Sequence, residues 1–362
     1  MSFMKRKVSM SLIVLVVIAV VVGISLRTPI EAASETVIDA KEVLASKIPT
    51  FNGTAYIAGH GGHLAIIDMN TMKAPTDAEK DRIILTEAGS EMEGKIAGMD
   101  FEQVKKSGGS HGQALINKNI LVASTLAGNV YKIDLKSGKK EGPYKVGNKF
   151  CGTILGSDGN IYLEDMADGN VYVWDPKTLK TVDKMPVGKA VCGIAWTKNN
   201  AKAYVSDMPM AIVYVYDWKT KKKIKEITSP EGMTFLHQIR MSPDGKELWV
   251  AGANEFGPGL TARSKKPQVV VIDTAIDEIV KRIILPDDVV IHDFAFSKDG
   301  KYAFLSARTN GKDDALMHIM DRSNNNIVGK VSACGACHKA NGITVSIDGG
   351  SPNLCGIEID WK

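Results

Sequence analysis

Asn170-Val171-Tyr172-Val173-Trp174-Asp175, followed at once by Pro176-Lys177-Thr178-Leu179-Lys180, carries the pattern on which the fold turns. Apolar residues run up to an aspartate and a polar stretch follows, which reads as a strand ending in a turn. The phrase recurs as NVYKID ending at Asp134, VYVYD at Asp217 and VVVID at Asp273. LAIID at Asp68, LMHIMD at Asp321 and a weaker CGIEID at Asp360 complete a set of seven. A second phrase interleaves with the first. Ser242-Pro243-Asp244-Gly245-Lys246 precedes Glu247-Leu248-Trp249-Val250, and Ser297-Lys298-Asp299-Gly300-Lys301 precedes Tyr302-Ala303-Phe304-Leu305. Ser157-Asp158-Gly159-Asn160 and 197–200 stand in the same relation to the strands after them. Such Asp-Gly and Asn-containing pieces are tight hairpin turns. Strand, tight turn, strand, turn, Asp-terminated strand, turn, strand at a period of about 42 residues is a four-stranded antiparallel propeller blade.

Seven units predict an all-β, seven-bladed β-propeller of four-stranded antiparallel blades over 34–362. Asp360 lies two residues from the C-terminus, so the last blade lacks its outer strand. Glu35-Thr36-Val37-Ile38-Asp39 is placed to supply it, so that an N-terminal strand pairs with the C-terminal blade and closes the ring. Two units exceed the period and carry insertions, about 76–110 and 254–268. Long excursions from a regular scaffold mark candidate binding loops.

The rest of the chain agrees with an exported globular protein. Lys5, Arg6 and Lys7 precede an apolar run from Leu12 to Ile24, and the small-residue stretch Glu31-Ala32-Ala33-Ser34 follows. This is the layout of a cleaved signal peptide over 1–33, leaving no stable membrane span after cleavage. At 44% hydrophobic and 24% charged residues, the bulk is not disordered. A net charge of +4 on 362 residues argues against a nucleic-acid partner.

Cys334-Gly335-Ala336-Cys337-His338 matches the attachment signature of c-type haem, in which two thioethers fix the porphyrin and the histidine ligates iron. One covalent haem c at Cys334, Cys337 and His338, serving electron transfer, is one reading. A disulfide or thiol pair on a blade is a second, because His237, His292 and His338 each precede a similar frame, and His111-Gly112-Gln113 resembles another copy; another metal at the motif is the remaining one. A third class is a nitrite-reductase-like propeller holding a tetrapyrrole above its axis through His111, His237 or His292. Cys151 and Cys192 occupy the same place in consecutive blades, where either a bridge or two buried thiols would fit. Cys355 begins the last Asp-terminated strand and is expected to be buried. His60 and His63, in a glycine-rich turn, are weak metal candidates. The recurrent aspartates read as turn caps, and no nucleophile triad, Walker or dinucleotide signature is present.

On these blade phrases, the leader, the 254–268 insertion and the Cys334-to-His338 blade, the chain resembles exported propellers of YVTN-like pattern. That group includes the propeller of cytochrome d1 nitrite reductases. Over the whole mature chain it is similar to the beta subunits of hydrazine synthase from anaerobic ammonium-oxidising bacteria. The resemblance implies a subunit of an oxidoreductase complex with no catalytic residues of its own. Its partners would be alpha and gamma subunits carrying the c-type haems, in a dimer of heterotrimers that makes hydrazine from nitric oxide and ammonium. It implies no cofactor in this subunit, and a location in the anammoxosome lumen, or otherwise the periplasm. A loop would reach toward the alpha subunit's active-site haem, with Glu255, Arg263, Lys265 and Lys266 as its contributors.

Overall fold

The computed structural model describes residues 35–59, 63–73, 82–84, 109–255, 265–287, 289–308, 316–333, 339–340, 343–344 and 354–362. The Cys334-to-His338 motif, His60, Arg263, the leader and most of 76–110 lie outside them. No helix among the described residues is long and apolar enough to cross a membrane.

All regular structure among the described residues is β. After β1 (Thr36–Asp39), the first blade contains β2 (Gly53–Gly59), β3 (His63–Asp68) and β4 (Arg82–Ile84). The second is β5 (Ser110–Asn117), β6 (Ile120–Thr125), β7 (Asn129–Asp134) and β8 (Lys140–Lys145). The third is β9 (Phe150–Leu155), β10 (Ile161–Asp165), β11 (Asn170–Asp175) and β12 (Lys180–Pro186). The fourth is β13 (Val191–Trp196), β14 (Lys202–Asp207), β15 (Ile212–Asp217) and β16 (Lys222–Thr228). The fifth is β17 (Phe235–Met241), β18 (Glu247–Glu255), β19 (Lys265–Asp273) and β20 (Glu278–Ile284). The sixth is β21 (Val290–Phe296), β22 (Tyr302–Arg308), β23 (Leu316–Asp321) and β24 (Asn326–Ser332). A short pair, β25 (Lys339–Ala340) and β26 (Ile343–Thr344), precedes the final strand β27 (Leu354–Trp361).

The strands form a six-bladed propeller, which corrects the expected seven. The strand ending at Asp360 is β27, and it pairs with β2 of the first blade, Thr54 opposite Asp360 and Gly53 opposite Trp361. The strand ending at Asp68 is β3 of that same blade, so two Asp-terminated phrases belong to one sheet. Closure also differs from expectation. Here β27 is the inner strand of the first blade, while β1 runs parallel to β20, Thr36 opposite Lys281, as a fifth strand on the fifth blade. The blades are therefore not uniformly four-stranded.

Packing follows the blades. One apolar cluster lies between each adjacent pair, and the ring closes where Ile57 and Ile357 of the first blade meet Phe304 and Ile319 of the sixth. Aspartates 68, 134, 175, 217, 273 and 321 each accept a backbone N–H two or three residues on, as expected of turn caps. In the hairpins, Asp158, Asp244 and Asp299 do the same, beside Gly159, Gly245 and Gly300 at positive φ.

Closure by β27 has a measurable consequence. Ile357 is 1% exposed in the closing cluster, so Ile357→Ala should cost about 2–5 kcal/mol of unfolding free energy. Val37, 52% exposed on β1, should tolerate alanine within about 0.5 kcal/mol. Urea denaturation of both variants checks this, and equal losses would mean that β27 does not close the ring.

Candidate functional site: a histidine and cysteine ring on the axis

Each inner strand is interrupted by a bulge near its start. His111 is the extra residue between the pairs Ser110–Thr125 and Gly112–Ser124. Cys151 stands between Phe150–Asp165 and Gly152–Glu164, and Cys192 between Val191–Asp207 and Gly193–Ser206. His292 lies between Ile291–Ala307 and Asp293–Ser306. In the fifth blade His237 and Gln238 together oppose Ala251, and in the first Cys355 and Gly356 oppose Ala58. A bulge bends the strand and re-aims the side chain of its unpaired residue. Six blades therefore direct six side chains to the axis, three imidazoles and three cysteine sulfurs.

These side chains meet across the molecule. His111 of the second blade and His292 of the sixth have ring centroids 4.5 Å apart, and His237 lies 3.6 Å from His292 and 6.3 Å from His111. Cys151 and Cys192 form a disulfide between the third and fourth blades, Cα to Cα 4.9 Å, which settles the choice between a bridge and two thiols. Nδ1 of His237 sits 3.4 Å from Sγ of Cys192 and 3.9 Å from Sγ of Cys151. All six residues are at most 5% exposed. Their ligand atoms fall into two triads, Cys151–Cys192–His237 and His111–His292–Cys355, each with its atoms within 4.8 Å of one another. The expectation of no cofactor in this chain is thereby corrected, because the axis carries two buried donor sets of metal-binding type.

Hydroxyls on second strands hold the bulged backbone. Ser206 Oγ donates to the carbonyl of His237, Ser124 Oγ to that of Gly112, and Ser306 Oγ to that of Cys355. His111 Nδ1 lies 2.5 Å from the carbonyl oxygen of Cys151. Since a carbonyl only accepts, Nδ1 carries the proton and Nε2 keeps its lone pair.

A charged layer accompanies the ring. Arg240 on β17 makes a bidentate pair with Asp293 on β21, at 2.9 and 2.7 Å, and reaches Glu358 on β27 at 3.1 Å. One guanidinium thus ties three inner strands. Glu164, on the second strand of its blade, lies over Gly152 beside Gln238, where a Cβ on residue 152 would collide with both. Burial raises the Glu164 carboxyl to about 8, with Arg240 opposing the shift. Burial likewise raises Glu358 to about 7 against the pull of Arg240. Nearby, burial lowers the Lys149 ammonium to about 8, partly offset by Asp165.

The two ends of the propeller differ. Asp-capped turns occupy the end opposite the ring, where the strand ends flanking 69–81 also lie. The strand ends flanking 60–62, 85–108, 256–264, 309–315 and 334–353 all lie at the ring end, as the antiparallel registers require. Glu255 and Lys265 pair at the last rung of the β18–β19 ladder there, so both strands extend well into the 254–268 insertion. Lys266 is exposed at φ 50°. His63 begins β3 at the same end. His237 and His292 are brought together as repeat positions, with His111. The position equivalent to theirs near the C-terminus belongs to Cys355, not to His338.

Fold and site together define a six-bladed β-propeller whose axis is closed by a histidine and cysteine ring. A family model, the cytochrome D1 heme domain, matches residues 189–343, a span that includes Cys192, His237 and His292. Among solved structures, the chain is similar to a chain of Kuenenia stuttgartiensis hydrazine synthase, at 19% identity and a TM-score of 0.50. That match covers 64% of this chain and 66% of the other, just under two thirds of its length. A Bacteroides caccae protein of unknown function matches over 86% of this chain and all of its own, at 10% identity and a TM-score of 0.55. No curated protein sequence matches the chain. Likeness at these identities is likeness of fold. The identification with a seven-bladed hydrazine synthase beta subunit is accordingly corrected to a six-bladed propeller with weak similarity to a hydrazine synthase chain and a partial match to a haem domain.

The described residues do not cradle a tetrapyrrole. The ring side chains stand within contact of one another with no gap for a macrocycle. Described cavities of about 460 Å³, beside Trp249 and Arg322, and about 220 Å³, beside Trp218 and Val205, lie between blades away from the axis.

Two outcomes follow from the charged layer. Arg240→Met leaves Asp293 and Glu358 without their cation and should destabilise the fold by about 3–5 kcal/mol in urea denaturation. Because the folded state holds the Glu164 proton to about 8 while the unfolded carboxyl releases it near 4.5, this group's contribution is full below pH 4.5 and is lost as pH rises toward 8. Glu164→Gln should therefore lose less stability than the parent between pH 5 and 9. Parallel pH profiles for the two would show that Glu164 does not titrate in this window.

Proposed function

We propose that this chain is an accessory propeller of a redox complex, exported across a membrane, that presents its ring end to a haem-bearing partner. The observation that carries the reading is the placement of the connections 85–108, 256–264, 309–315 and 334–353 at the end where the histidine and cysteine ring closes the axis. Functional groups gather on the loops of one end of a rigid scaffold. The opposite end carries the Asp-capped turns. Similarity of fold to a hydrazine synthase chain and to a haem-domain model supports a redox setting. In this reading Glu255, Arg263, Lys265 and Lys266 sit on the connection that reaches the partner.

A second reading is favoured by the family-model match. The chain itself would carry a tetrapyrrole over the ring end, or a covalent haem c at Cys334, Cys337 and His338. Purifying the chain from its native source, with intact-mass and visible spectra taken before and after separation from partners, tests both. Co-purification with haem proteins and an unmodified mature mass is the expected result. An added haem mass on the chain itself would transfer the function to the second reading, and a chain that purifies alone without haem would overturn both.

A further inference from the structure

Seven histidines and five cysteines occur among 362 residues, and six of them fill the six bulged positions of the ring. Packing alone does not ask for such a choice. The second strand places Ala, Ser or Glu opposite these bulges, and an apolar residue would fill the axis without a polar atom to satisfy. Imidazole and thiol share the property of ligating zinc and copper.

The ring divides by chemistry. In the half made by Cys151, Cys192 and His237, both sulfurs are consumed by the disulfide, and His237 Nδ1 faces them. The other half, His292, Cys355 and His111, comes from the sixth, first and second blades, neighbours around the ring. Its three donor atoms lie within 4.8 Å of each other. Four-coordinate zinc, with bonds of about 2.0–2.3 Å, holds its ligand atoms about 3.3–3.8 Å apart, so side-chain adjustment of an ångström or so completes the set.

The surroundings are those of a ligand set. The Cys151 carbonyl fixes His111 as the tautomer with its proton on Nδ1, which is the outer-shell arrangement common to metal-bound histidines. Ser306 fixes the backbone of Cys355 by donating to its carbonyl, and Asp293, next to His292, is locked by Arg240 and by the N–H of Ile357. We infer that His111, His292 and Cys355 bind one borderline or soft transition-metal ion, zinc or copper, on the propeller axis. Two imidazoles and one thiolate are three protein ligands, which leaves a coordination position open for a small exogenous ligand. Binding displaces the Cys355 proton to solvent and involves no change of oxidation state. The inference rests on the axis alone and stands apart from the haem reading above.

The test uses the full mature chain carrying Cys334→Ser, Cys337→Ser and His338→Ala, purified without reductant so that the disulfide persists. Cys355 is then the one thiol in the protein. The metal-free protein is titrated with Co²⁺ alone, and separately dialysed against Zn²⁺ or Cu⁺ followed by a weak chelator. Expected are one equivalent of retained zinc or copper and a thiolate-to-cobalt charge-transfer band, which in this background reports Cys355 without any change at the site. Cys355→Ala should abolish the band and lower Zn²⁺ affinity more than about tenfold. Cys151→Ser with Cys192→Ser should keep both band and stoichiometry, as should His60→Ala with His63→Ala. Folded protein that shows no cobalt–thiolate band, or retains neither ion, overturns the inference. So does a band that survives Cys355→Ala or vanishes in the Cys151 and Cys192 double variant.

Discussion

Pairing of the C-terminal strand β27 with β2 is the constraint from which the rest of the molecule follows. Each blade buries apolar surface only against its two neighbours, so a ring of blades has no internal end until its first and last members share a sheet. Once the chain's last strand becomes the inner strand of its first blade, six inner strands surround one axis at fixed register. The Ile57, Ile357, Phe304 and Ile319 contacts then complete a closed circuit of inter-blade cores. Cys355 reaches the axis only because β27 is there, so the closure that holds the fold also completes the ring.

The second layer of order comes from the bulges. A regular inner strand would alternate its side chains between the two neighbouring blades and leave backbone at the axis. One extra residue per strand breaks that alternation at one level and turns six side chains inward together. The freed backbone groups are met by second-strand serines and by Gln238, whose amide donates to the Cys151 carbonyl. Gly152 serves the same level by omission, since its missing side chain gives Glu164 its place beside Gln238. Arg240 then offsets the acids by spanning three strands, and the raised carboxyl of Glu164 reflects how little water reaches it.

Much of this was legible in the sequence. Period, Asp-terminated strands and Asp-Gly hairpins are local signals, and the turns they imply are present with the expected caps. Blade number was not legible in the same way. The phrases ending at Asp68 and Asp360 look like two repeats, and only long-range pairing between residues 54 and 360 shows that they share one sheet. The placement of 35–39 failed for a related reason, because an exposed four-residue strand can extend any blade edge and local pattern does not say which. A signal for the ring was present. Ser-His-Gly, Phe-Cys-Gly, Val-Cys-Gly, Leu-His-Gln, Ile-His-Asp and Leu-Cys-Gly each open an inner strand. Reading His338 into that series hid Cys355, and treating histidine and cysteine as separate questions hid their equivalence.

The disulfide gives the ring an asymmetry that six equivalent positions would not otherwise have. Cys151 and Cys192 are neighbours around the axis, close enough for a covalent link, whereas Cys355 lies with His111 and His292. The bridge therefore removes two sulfurs from one half, while the Cys355 sulfur lies among imidazoles in the other. The bridge also joins the third and fourth blades, while the backbone carbonyl of Cys151, aimed by its bulge, orients His111 on the far half. Backbone geometry on one side of the axis thus sets the protonation and direction of a donor on the other, and neither half is independent of the strand closure that brings them face to face.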